Sequence, residues 1–130
     1  MNSNKIKTMI GQMIIIGIRA TNDLDVKRFF QNHKGIYAGG IILYDQNVTT
    51  KPWSSHNIIN PEQLKELNKS LQSYSKTPLF IGIDQEGGNV NRLSSSYGFP
   101  NFKSWGELGR INDLKITTEQ SFLMAETLSK

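Results

Sequence analysis

Pro78-Leu79-Phe80-Ile81-Gly82-Ile83 is an apolar run that ends abruptly at Asp84-Gln85-Glu86-Gly87-Gly88. The run is too short for a helix and does not alternate, so it reads as a strand buried on both faces of a parallel sheet. Immediately upstream, Pro61 opens a helix in which Leu64, Leu67, Leu71 and Tyr74 form one apolar stripe. Proline suits that first turn because its missing N–H would be unpaired there, and the stripe would pack on a sheet. Further upstream lie two more buried-strand candidates, Met13 to Ile18 (MIIIGI) and Gly39 to Tyr44 (GGIILY). Between them, Asp23 to His33 reads as a helix with Leu24, Val26, Phe29 and Phe30 inward, Asn22 or Asp23 as its cap and Gly35 as its stop. Ile6 to Gln12 reads as a short helical lead-in.

The remaining segments are polar. Asp45 to Asn60, with Pro52 and Trp53, reads as a surface loop, and Asn89 to Gly109 as a Gly-rich stretch. Thr117 to Leu128 reads as a helix capped by Thr117 or Thr118, with Phe122, Ala125 and Leu128 on one face. The order strand, helix, strand, helix, strand, loop, helix predicts an α/β fold with a parallel sheet under helices. Right-handed crossovers then place every strand's C-terminal end on one side. No repeat or internal boundary is visible, so residues 1–130 read as one partial domain.

Composition excludes several functions. The chain has no cysteine, which removes disulfides, thiol catalysis and thiolate metal sites. Its two histidines, His33 and His56, have no metal-ligand spacing to a second ligand, so no metal or cofactor is expected. A net charge of +4 comes from scattered lysines rather than a block, which argues against a nucleic-acid footprint. No apolar run is long enough to span a membrane. Lys5 and Lys7 before Ile10–Ile18 superficially resemble a signal peptide, but Gln12 interrupts the stretch and Arg19 closes it. A buried strand explains the same residues, and the expected location is cytoplasmic.

In parallel α/β folds, ligands bind beyond the C-terminal ends of the strands. Asp84 stands at such an end, and Gly87 and Gly88 allow a tight turn there. Its carboxylate can accept hydrogen bonds from sugar hydroxyls, and Arg92 could return a fork of donors to the same site. Two structural roles remain open for Asp84: fixing its own turn, or pairing with Arg92. Glu86 more readily serves backbone N–H groups or an ion pair. Asp84 and Glu86 are rejected as a catalytic dyad, because two carboxylates on one strand approach a sugar from the same side. Trp53 and Tyr44 could stack on sugar rings, and Met9 and Met13 are expected in the core. No P-loop or G-x-S-x-G is present.

Taken in order, Lys7-Thr-Met-Ile-Gly-Gln-Met13, Gly39-Gly-Ile-Ile-Leu-Tyr44, Gln63-Leu64 with Leu67-Asn68, Pro78 through Arg92, and Gly98-Phe-Pro100 resemble family 3 glycoside hydrolases. The branch most similar is the β-N-acetylhexosaminidase type. The resemblance covers nearly the whole chain, and Asp84-Gln-Glu-Gly-Gly-Asn-Val-Asn-Arg92 is its specific motif. It implies the N-terminal portion of a (β/α)8 barrel, about three β-α units of a fold that takes about 250 residues. It implies a retaining hydrolase of O-glycosidic bonds, in which Asp84 and Arg92 bind substrate, an N-acetylglucosamine-containing glycan or muropeptide. The family's nucleophilic Asp and its His-bearing K-H-F-P-G-H-like loop have no counterpart in this sequence, so no catalytic residue is assigned and the chain is expected to be inactive alone. The C-terminal part of the barrel is then an implied partner. Alternatives are a split-barrel subunit or sugar-binding module, and a β-glucosidase/xylosidase-type member. Asn89 stands where the family often has Arg, and Asp45-Gln46-Asn47 lacks the Arg that commonly precedes that Asn.

Overall fold

The computed structural model describes residues 3–35, 37–49, 51–52 and 54–130. The chain packs as two compact units, Met1–Ile83 and Asp84–Lys130. Trp53 lies outside the described residues. Among the described residues, no helix is long and apolar enough to cross a membrane.

The first unit runs α1 (Ser3–Gly11), β1 (Ile15–Gly17), α2 (Asp23–Asn32), β2 (Gly40–Leu43), β3 (Gln46–Asn47), β4 (Ser54–Ser55), α3 (Pro61–Tyr74) and β5 (Phe80–Ile83). β1, β2 and β5 form a three-stranded sheet in that order. Both pairings are parallel, Ile16 beside Ile41 and Ile41 beside Ile81. The right-handed βα logic thus sets the C-terminal ends of all three strands along one edge.

The central strand meets the expectation of burial on both faces: Gly40, Ile41 and Leu43 are buried. α2 and α3 pack together, with Val26 from one and Leu64, Leu67 and Leu71 from the other in the core. Each fully buried leucine of that stripe stabilises by roughly 1.5–3 kcal/mol. Asn22 caps α2 by accepting from the Asp25 N–H, and Asn60 caps α3 by accepting from the Gln63 N–H.

The outer strands differ from the sequence expectation. Met13 is 86% exposed, Ile15 58% and Phe80 79%. A strand is buried on both faces only when a neighbour and covering helices exist on each side. β1 and β5 are the outer strands of this sheet, and of their apolar residues Ile15 and Phe80 are exposed while Ile16, Ile81 and Ile83 are half-buried. Met9 is exposed too, not in the core, because α1 buries none of its residues. Leu24, expected inward, is also exposed, leaving Val26 as the buried anchor of α2. The segment Asp45 to Asn60 is more than a surface loop: Asp45, Asn57 and Ile58 are buried within it.

The second unit runs β6 (Gln85–Gly87), β7 (Val90–Asn91), a 3-10 turn (Ser95–Tyr97), α4 (Trp105–Ile111) and α5 (Leu114–Leu128). Leu93, Phe102 and Leu108 form its small core. The Gly-rich stretch thus contains a helix that its composition hides. α5 starts three residues earlier than its threonines suggest, because Asp113 is the cap, accepting from the N–H groups of Lys115 and Ile116. Phe122 on α5 is 72% exposed.

Candidate functional site

Asp84 follows β5 without an intervening residue. It is therefore delivered at the strand-end edge where parallel α/β folds bind ligands. Directly after it, β6 and β7 form an antiparallel hairpin with Gln85 opposite Asn91 and Gly87 opposite Val90. Two residues on β6 span what one step spans on β7, so Glu86 is the extra residue of a bulge, and it is exposed. Bulges re-aim neighbouring side chains and end pairing, and they gather beside functional sites.

The glycines are required by geometry. Gly87 and Gly88 have φ of +76° and +61°, a region that L side chains rarely adopt. A Cβ on Gly87 would also lie 2.3 Å from the Lys103 carbonyl oxygen, and one on Gly88 2.7 Å from the Ser104 Cβ. The hairpin turn and the chain before α4 can pack together only with no side chain at these two positions.

Gln85 staples the same hairpin. Its amide donates to the Asn91 Oδ1 and its Oε1 accepts from the Leu93 N–H at 2.9 Å. Sequence reading assigned Gln85 no role; a side chain with both a donor and an acceptor beside a predicted turn was the available signal.

Asp84 and Arg92 leave the hairpin at the same end, one immediately before β6 and the other immediately after β7. Asp84 is exposed and Arg92 half-buried. No hydrogen bond or ion pair joins the Asp84 carboxylate to Arg92 among the described residues, nor does that carboxylate fix its own turn. Among the described residues, neither structural role open to Asp84 is taken up, and its side chain is exposed.

In the first unit the strand ends are tied by a residue that sequence reading passed over. Asn57 is fully buried and its side chain makes four hydrogen bonds. Its amide donates to the carbonyls of Ile18 and Ala20, each at 3.0 Å, just past β1. Its Oδ1 accepts from the Tyr44 N–H at 2.9 Å, just past β2. Gln63 extends the tie, donating to the carbonyls of Thr21 at 2.7 Å and Asn57 at 3.0 Å. Tyr44, a candidate for stacking on a sugar ring, is half-buried and meets the His56 ring edge-on at 6.1 Å. Among the described residues, no group of three His, Asp or Glu could hold a metal.

No family model matches the chain. It is 30% identical over 100 residues to a β-hexosaminidase of Alkalilimnicola ehrlichii, an alignment covering 77% of this chain and 25% of that protein. A Vibrio cholerae β-hexosaminidase is 32% identical over 91 residues, covering 69% and 24%. Among solved structures, a family 3 β-N-acetylglucosaminidase from Paenibacillus sp. superposes with a TM-score of 0.71 at 26% identity, over 95% of this chain and 22% of that one. NagZ from Neisseria gonorrhoeae, in complex with N-trifluoroacetyl-D-glucosamine, gives a TM-score of 0.55 at 28% identity, over 75% and 24%. The chain spans about a quarter of the length of the curated relatives it matches. With β1, β2 and β5 in parallel order and the Asp84–Arg92 motif at the strand end, it belongs with the N-terminal part of the catalytic barrel of the family 3 glycoside hydrolases, on the β-N-acetylhexosaminidase side.

Proposed function

We propose that this chain supplies the N-terminal, sugar-holding part of a β-N-acetylhexosaminidase-like enzyme that hydrolyses O-glycosidic bonds with retention. In this reading Asp84 accepts hydrogen bonds from hydroxyls of the non-reducing-end sugar, and Arg92 helps form the same pocket. The supporting observation is the Asp84 carboxylate: exposed, engaged by no other side chain among the described residues, and set directly between β5 and a hairpin whose two glycines admit no substitute. Its substrate is a glycan containing N-acetylglucosamine, or a muropeptide.

The reactive groups of a retaining mechanism are a nucleophile and an acid/base on opposite sides of the scissile bond. Asp84 and Glu86, on one short segment, do not provide that arrangement. The isolated chain is therefore expected to leave a chromogenic N-acetyl-β-glucosaminide intact. Joined to the C-terminal three-quarters of the Neisseria gonorrhoeae relative, it is expected to support turnover. Robust hydrolysis by the isolated chain would sink the reading.

A second reading, a split barrel, is favoured by the edges of the sheet. Ile15 and Phe80 expose apolar side chains on β1 and β5, the outer strands of the sheet, which pair on one side only among the described residues. Such edges accept further strands or aggregate. A separate chain bearing the remaining strands would restore activity on co-expression; failure of every such partner to do so removes this reading.

A further inference from the structure

A second feature lies wholly within the first unit. A cleft of about 220 Å3 opens just beyond the C-terminal end of β1. It is lined by Arg19, Thr21, Asp25, Asn47, Ser55 and His56, from the β1 exit, the first turn of α2 and the β3–β4 ladder. It is smaller than the roughly 300–1,000 Å3 of pockets for drug-sized ligands, which leaves room for a single small ring. We propose that this cleft binds one uncharged sugar unit, through a pair of neighbouring hydroxyls held by His56, Arg19 and Ser55. The inference rests on the carbohydrate reading above, and it does not depend on Asp84.

The chemistry follows from the buried Asn57. Because its Nδ2 donates to two carbonyls, its Oδ1 must be the atom facing His56 Nδ1, 2.7 Å away. An amide oxygen only accepts, so His56 Nδ1 carries the hydrogen. A neutral imidazole has one N–H, so Nε2 of this cleft-lining ring is left with a lone pair. The buried amide has fixed the tautomer.

The other groups complete a mixed set. The Arg19 guanidinium is exposed, and its hydrogen bond to Thr49 Oγ1 is long, 3.4 Å. Its remaining N–H donors can meet a hydroxyl oxygen. The exposed Ser55 hydroxyl both donates and accepts. Asp25 holds the Thr21 N–H and the Asn22 amide through Oδ2, and its charge offsets that of Arg19 in the same cleft.

Donors and acceptors side by side, with charge near balance, match hydroxyls, which do both at once. An anion would offer acceptors only, and would meet the Asp25 carboxylate and the His56 lone pair.

The test is an imidazole 15N correlation experiment on the full chain, which has two histidines. His33 Nδ1 donates to the Phe29 carbonyl at 2.8 Å, so both rings are expected as the Nδ1–H tautomer, and His33 serves as an internal control. Titration with methyl N-acetyl-β-glucosaminide should shift His56 Nε2 saturably and leave His33 unmoved. Arg19→Ala should weaken that response by at least about fivefold, the loss of one charge-assisted hydrogen bond. Glucuronate should bind no better than the neutral sugar.

A silent His56, an unchanged Arg19→Ala variant, or tighter binding of glucuronate would each overturn the proposal. Asp84→Asn should leave the His56 response intact. If His56 is silent while Asp84→Asn abolishes sugar binding, the cleft is ruled out and the Asp84 reading stands. If the reverse holds, the cleft stands and the Asp84 reading falls.

Discussion

Replacing Asn57 by alanine should cost this chain more than any other single polar substitution in the first unit. The side chain is fully buried and makes four hydrogen bonds, three of them to backbone groups. Alanine leaves the carbonyls of Ile18 and Ala20, the Tyr44 N–H and the His56 ring without that partner. Each buried polar group left unpaired costs about 1–3 kcal/mol. Water will reach some of them through the space vacated, so the expected loss is about 3–5 kcal/mol.

That is a large part of the roughly 5–15 kcal/mol that holds a whole domain. Asn57→Asp should do no better, because a carboxylate would then face two carbonyl oxygens. The assay is urea unfolding followed by far-UV circular dichroism, with Asn60→Ala as the comparison. Asn60 is also an amide, but it caps α3 from an exposed position, and its removal should cost about 1 kcal/mol. An Asn57→Ala variant that loses no more than Asn60→Ala would show that the strand ends are not tied in this way.

Three further outcomes follow from local geometry. Gly87→Ala and Gly35→Ala both force alanine to positive φ, +76° and +98°, but only at Gly87 would the new Cβ strike backbone, 2.3 Å from the Lys103 carbonyl oxygen. Gly35→Ala should therefore cost about 1–2 kcal/mol and Gly87→Ala distinctly more; equal midpoints in urea would contradict the contact. Asp113→Ala should remove the α5 cap at a cost of about 1 kcal/mol, read as lost helical circular dichroism, whereas Thr118→Ala should change little. The Tyr74 phenol is held above its ordinary range by desolvation first, then by its hydrogen bond to the Asp23 carboxylate and that group's charge. Because the neutral form is favoured in the fold, this contribution is present below the ordinary tyrosine range and is lost as pH rises through the folded value. Ultraviolet titration should show one late-ionising tyrosine that Asp23→Asn returns toward the others; no change on that substitution would remove Asp23 as a cause.

Much of the scaffold was legible in the sequence because it is carried by periodic apolar residues. Leu64, Leu67 and Leu71 announce α3, and Ile41 and Leu43 announce the buried β2. The misreading of β1 and β5 has one cause. Periodicity reports what a strand is suited to bury, not whether a neighbour is there to bury it: Ile15 and Phe80 lie on the outer strands of the sheet, and Met13 lies in the turn before β1.

α4 was hidden because Gly106 and Gly109 lie within its seven residues and helix propensity is correspondingly poor. Asn57 was hidden for a different reason. A single amide in a polar segment has no periodicity, and only the fold shows that four partners converge on it. Asp84 was legible as a strand-end carboxylate, yet the sequence alone left open whether a structural role absorbs it. Among the described residues Arg92 does not pair with it and its own turn does not use it.

The central claim is that Asp84 touches sugar. It is tested most directly by measuring N-acetylglucosamine binding to the chain joined to the remaining barrel, with and without Asp84→Asn. Asparagine keeps the size of the side chain and removes the charge and one acceptor. Loss of charge-assisted hydrogen bonds worth about 1.5–3 kcal/mol should weaken binding by roughly 10- to 150-fold. Binding that stays within about twofold, below 0.5 kcal/mol, would mean that this carboxylate faces solvent alone and that the pocket lies elsewhere.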